Sequence, residues 1–154
     1  RTFTDTPINT FGSSEVIFGP GEYEVSGVRV RGINLPDESD KNTVRSIYTA
    51  ELEGMHLAFF LNISRDIPER TLDKLGEVDA LFISIDVKKI KPKQIISLIK
   101  QIDPSIVIPT TDKTAKVLSE ERGQRVKAQE KLVIKRKDLI KEDIANKLIW
   151  LKTK

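Results

Sequence analysis

An α/β domain with a mixed sheet and flanking helices is the fold class this sequence predicts, on three observations. Short alternating runs joined by glycine turns fill the first third, as antiparallel hairpins require. Residues 56–61 and 78–85 are almost wholly apolar, the mark of strands buried in a sheet interior. After them, an apolar stripe at helical spacing alternates with short apolar runs, the pattern of a layered α/β unit.

Residues 1–14 are polar, rich in Thr, Ser, Asn and Gly, and read as an irregular N-terminal segment. Val16-Ile17-Phe18, the run around Tyr23-Glu24-Val25, and Val28 to Arg31 read as strands. Turns at Gly19-Pro20-Gly21 and Ser26-Gly27 join them. Residues 34–42 carry too little apolar surface for a core and are expected to form an exposed, mobile loop. Val44 to Leu52, the Glu53-Gly54 turn and Met55 to Leu61 form a second hairpin pattern, whose second strand is expected at the sheet centre, covered on both faces.

Pro68 to Leu75 suggests a short helix and Val78 to Ile85 a strand. Pro92 suits a first helical turn, and Ile95, Ile96, Leu98, Ile99 and Ile102 give that helix one apolar face. Ile106 to Ile108 reads as a short buried strand, and Thr114 to Arg122 as a helix stopped by Gly123. Leu132 to Ile134 and Leu148 to Leu151 read as final strands around the charged stretch from Lys135 to Asp143.

The 154 residues, 38% of them hydrophobic, suffice for a single domain spanning 1–154. No apolar run approaches the roughly 18 residues of a membrane span, so no membrane partner is expected. With 26 basic and 23 acidic residues, the net charge of +3 is mixed along the chain and implies no strong long-range field. The absence of cysteine excludes disulfides and thiolate zinc sites and fits a reducing compartment, so a cytoplasmic location is expected. A start at Arg1 reads as a fragment or processed product.

Four words in order resemble the metallo-β-lactamase-like superfamily, in particular its small bacterial and archaeal metal-dependent hydrolases. Gly19-Pro20-Gly21-Glu22-Tyr23-Glu24-Val25 resembles a characteristic turn of that branch. Gly54 to Ile63 resembles the strand ending in its Gly-Asp ligand. Gly76-Glu77-Val78-Asp79-Ala80-Leu81 resembles its Gly-x-Val-Asp-x-Leu strand. Asp103 to Pro109 resembles the strand leading to its last histidine. The resemblance implies a partial or degenerate metallo-β-lactamase-like layered fold, from about Val16 onward, without the family's first strands.

In active relatives a His-x-His-x-Asp-His motif, a bridging Asp and a terminal His hold metal that activates water. By resemblance, the bridging position falls on Asn62 and the terminal one on Thr111. Arg1 to Thr6 resembles a remnant of the first motif with only Asp5 kept, or else an upstream Thr-Asp-Pro turn of the family. Asp5, Asn62 and Thr111 are therefore vestigial positions, and no catalytic residue, metal ligand or cofactor is expected. His56, the single histidine, reads as a strand residue, since one imidazole cannot build a zinc site. Asp5, Asp86, Asp103 and Asp112 are in principle oxygen donors for magnesium or calcium, but Asp103 and Asp112 read as turn or cap residues.

No Gly-x-Ser-x-Gly elbow, Walker loop or dinucleotide fingerprint occurs. Asn62-Ile63-Ser64 matches a glycosylation sequon by coincidence. Lys88, Lys89, Lys91 and Lys93 make a basic surface, and Lys131 to Lys141 is a second basic stretch, but stacking aromatics are scarce near both. The leading expectation is a non-catalytic binding, scaffolding or regulatory module, pairing with itself or with a partner subunit that covers exposed sheet. A hydrolase whose ligands come from a missing N-terminal portion or a partner chain is the second expectation, and a nucleic-acid-binding module the third.

Overall fold

A computed structural model describes residues 2–3, 20–35, 43–139 and 147–152. A sheet in the order β2-β3-β5-β6-β7-β8-β9 organises them, with a separate parallel pair of β1 (Thr2–Phe3) and β4 (Thr43–Val44). The strands are β2 (Gly21–Val25), β3 (Val28–Asn34), β5 (Ser46–Leu52), β6 (Met55–Ile63), β7 (Ala80–Ile85), β8 (Ile106–Pro109) and β9 (Lys147–Leu148). The helices are α1 (Glu69–Leu72), α2 (Pro92–Ile102) and α3 (Asp112–Arg122).

The antiparallel half follows from its turns. Val25 pairs with Val28 around Ser26-Gly27, and Leu52 pairs with Met55 around Glu53-Gly54. Both residues of each turn take positive φ, 50° and 82° in the first and 51° and 75° in the second. That is the two-residue hairpin geometry matching the twist of the flanking strands. At Gly54 a side chain would also approach the Arg136 guanidinium to 3.1 Å.

β6 stands at the centre of the sheet, antiparallel to β5 and parallel to β7. Beyond it β7, β8 and β9 are all parallel, as crossovers through α2 and α3 require. Ile95, Leu98 and Ile99 of α2 and Ala115 and Leu118 of α3 are buried on the face carrying Phe60, Leu81, Ile83 and Val107. Each of these side chains apart from the small Ala115 contributes roughly 1.5–3 kcal/mol by burial.

A second cluster fills the opposite face over β8 and β9. Ile106, Ile108 and Ile149 are buried there, with Phe82, Leu132, Ile134, Leu139 and Leu151 packed against them. This cover thins towards β6, so the expectation of a strand covered on both faces is corrected. Ala58 and Phe60 are fully buried, Leu57 and Phe59 half-buried, and Leu61 is 49% exposed. Phe59 gains cover from Phe82, which stacks on it with centroids 4.8 Å apart.

Other expectations shift at the C-terminus and in the loops. Leu132 to Ile134 form no strand: Leu132 and Ile134 partly bury their side chains without joining a ladder, and Val133 is 66% exposed. The place beside β8 is taken by β9, which is shorter than expected, with Leu151 bridging Gln129. Asn34 and Leu35 do not belong to the loop expected at 34–42, because Asn34 pairs with Ser46 and Leu35 is buried, its N–H donating to the Arg45 carbonyl. Residues 36–42 and the strand expected at 16–18 lie outside the described residues. Among the described residues, no helix is long and apolar enough to cross a membrane.

Candidate functional site

The C-terminal tips of β6, β7 and β8 meet at one edge of the sheet. Asp86 N–H donates to the Ile63 carbonyl at 2.8 Å and Thr110 N–H to the Ile83 carbonyl at 2.9 Å, which laces the three tips together. In an open parallel sheet this edge is where ligands bind. It brings together Asn62 and Thr111, two of the three positions singled out by resemblance. Asp5 lies outside the described residues.

Asn62 sits where the β6–β7 register shifts between Phe60 and Ile63. Its φ is 56°, a left-handed conformation that asparagine tolerates better than most residues. Its N–H donates to Ser84 Oγ at 2.7 Å, and its carbonyl accepts from Arg45 Nη1 at 3.1 Å. The strand tip thus keeps a polar, irregular shape, while the side chain is a neutral amide.

Thr111 is the N-cap of α3. Its Oγ1 accepts the Thr114 N–H at 3.2 Å and lies 2.8 Å from Thr114 Oγ1. Thr114, fully buried, in turn accepts the Ile85 N–H at 3.1 Å, which ties the helix start to the tip of β7. Thr111 is therefore occupied by capping, a role satisfying one of the orphan N–H groups at a helix start. The helix begins at Asp112, two residues before the expected Thr114.

Sequence reading did not connect Trp150 to this edge. Its Nε1 donates to Asp112 Oδ1 at 3.1 Å, bringing the chain's single tryptophan beside the start of α3. No local pattern carries that pairing, because 38 residues separate the partners.

The basic surface lies in the connection from β7 to α2. Lys88, Lys89, Lys91 and Lys93 are all exposed. Asp86 organises the turn, accepting the Lys88 N–H at 3.1 Å and standing 3.9 Å from Lys89 Nζ. The Lys91 N–H donates to Gln94 Oε1 at 2.9 Å, closing the first turn of α2. These lysines border the tip of β7, with the acid Asp86 among them.

His56 is at the other end of β6. Six residues of strand separate it from Asn62, roughly 20 Å, so the two cannot share a ligand. Its N–H donates to Asp79 Oδ2 at 2.8 Å, its carbonyl accepts the Asp79 N–H at 2.8 Å, and its Nδ1 is 3.9 Å from that carboxylate. This half-exposed histidine belongs to the strand pairing, as expected.

The sequence matches the Beta-lactamase superfamily domain over residues 4–111, more than half of the chain. Among solved structures, the fold is similar to that of a Thermotoga maritima protein assigned to the Zn-dependent hydrolases of the metallo-β-lactamase superfamily. The TM-score is 0.61 at 17% identity, covering 89% of this chain and 71% of that one. It is also similar to the E377D mutant of the CmlA beta-hydroxylase, with a TM-score of 0.51 at 10% identity, covering 87% of this chain and 31% of the other. No curated protein matches significantly. The chain belongs to the metallo-β-lactamase superfamily, as a layered α/β domain whose strand tips carry an amide and hydroxyls.

The zinc that this family implies does not fit these residues. Asn62 offers a neutral oxygen, and Thr111 a hydroxyl committed to Thr114. Among the described residues, no group of three histidines, cysteines or carboxylates is placed to hold a metal ion. A zinc site needs three or four such ligands at once.

Proposed function

We propose that this chain is a non-catalytic, metal-free member of the superfamily that works as a binding, scaffolding or regulatory module. What carries the proposal is Thr111: the position corresponding to the family's last histidine is spent on capping α3 through Thr114. Asn62 supports it, because a neutral amide is a poor bridge between two cations. Adding residues upstream would repair neither position. The exposed Leu52 and Leu61 support a second copy or a partner subunit over this part of β5 and β6.

Metal analysis of protein purified without added zinc, and again after zinc loading and dialysis, tests the proposal. Less than stoichiometric metal is expected in both samples. A tightly held equivalent of zinc would overturn it in favour of a metal-dependent hydrolase.

A further inference from the structure

A cavity of about 540 Å³ opens at the end of the sheet opposite Asn62 and Thr111. Strand register builds it. One row across the sheet reads Glu24, Arg29, Glu51 and His56, and the next reads Glu22, Arg31 and Thr49. Residues paired across strands share a face, about 5 Å from their neighbours. The segment after α1 forms the opposing wall, with Leu75 and Val78 buried in it and Glu77 exposed. Arg31 pins that wall by donating to the Lys74 carbonyl, and the His56–Asp79 pairing closes the far side.

Two arginines in a field of carboxylates look at first like cross-strand pairs that merely neutralise each other. Yet among the described residues no ion pair joins Arg29 to Glu24 or Glu51, its neighbours in register. The charges face the cavity rather than closing on one another. A simple anion would meet four glutamates there, and a simple cation two guanidiniums. A ligand bearing both signs satisfies both sets, and the excess of carboxylates favours one with an additional cation. The volume suits a small polar molecule.

We propose that this cavity binds a free α-amino acid with a basic side chain. Arg29, backed by Arg31, takes its carboxylate, the pairing for which a guanidinium fork is shaped. The α-ammonium and the side-chain cation lie against the glutamates, and the aliphatic stem rests on Leu75 and Val78. The proposal goes beyond the module reading, since this cavity lies far from the strand tips and its occupancy is independent of metal there.

Calorimetric titration and thermal melting with lysine, ornithine and arginine test it, alongside cadaverine, Nα-acetyl-lysine and glutamate. The basic amino acids are expected to bind and to raise the melting temperature, and glutamate to do neither. Cadaverine, which lacks the carboxylate, and Nα-acetyl-lysine, which lacks the α-ammonium, are each expected to bind about tenfold or more weakly, the loss of one charge-assisted contact. Arg29→Gln and Glu51→Gln are expected to lose lysine binding by a similar factor. The proposal is overturned if none of the three basic amino acids binds, if cadaverine binds as tightly as lysine, or if both variants bind lysine like the parent. The ligand series needs no variant, so a misfolded substitution leaves the test intact. Zinc content measured on the same samples keeps this outcome separate from that of the module proposal.

Discussion

Thr111 and Thr114 hold the start of α3 to the sheet through one continuous run of hydrogen bonds. The Thr114 N–H reaches Thr111 Oγ1 at 3.2 Å, the two hydroxyls lie 2.8 Å apart, and Thr114 Oγ1 also accepts from Ile85. Thr111 serves architecture here, and its substitutions should be read in stability.

Thr111→Ala is expected to cost about 1 kcal/mol, the usual loss of an N-cap, and Thr111→Ser very little. Thr114→Val should cost about 1–3 kcal/mol, because it strands the buried Ile85 N–H. Urea unfolding monitored by circular dichroism measures both.

If the proposed module reading holds, placing ligand residue types at Asn62 and Thr111 should not create a zinc site. The double variant Asn62→Asp with Thr111→His supplies two ligands, short of the three or four that zinc takes. Metal analysis after zinc loading is expected to show no stoichiometric ion. Unfolding should also show a loss of about 1 kcal/mol from the missing cap.

Trp150 makes a local reporter, since no other tryptophan competes with its emission. Asp112→Ala removes the acceptor of its indole N–H and is expected to shift the emission maximum to longer wavelength. Far-ultraviolet circular dichroism should stay unchanged. An unshifted spectrum would show that the indole keeps its place without Asp112.

The exposed leucines of β5 and β6 give a test of association. Leu61, 49% exposed on central β6, can take a charge at small cost to the fold. If a second copy or a partner subunit covers this face, Leu61→Glu should weaken that association in light scattering while the melting temperature of the isolated chain is nearly retained. An association unaffected by the charge would place the contact elsewhere.

The hairpins were legible because Ser26-Gly27 and Glu53-Gly54 are short, glycine-bearing and flanked by alternation. The stripe from Ile95 to Ile102 revealed α2 for a similarly local reason, its period. Leu132 to Ile134 misled because alternation records which side chains are buried, not which backbone partners accept them. The capping role of Thr111 had a local signal in the Thr-Asp-Lys-Thr spacing, which the comparison with metal ligands overshadowed. The charged cavity was hidden for another reason. Glu24, Arg29, Glu51 and His56 become neighbours only through strand register, so a charge that looks evenly mixed along the chain is ordered in space.

The change of strand direction at β6 sets an order of assembly. On its β5 side the partner is two turn residues away and can zip up within microseconds, as hairpins do. On its β7 side each parallel partner waits for a crossover to close, which is slower because distant segments must first be brought together. Early in folding, β6 would therefore be half-paired, its apolar Phe59 and Phe60 beside an open edge. During synthesis an apolar strand edge is expected to stay open until the crossover through α1 lays β7 against it.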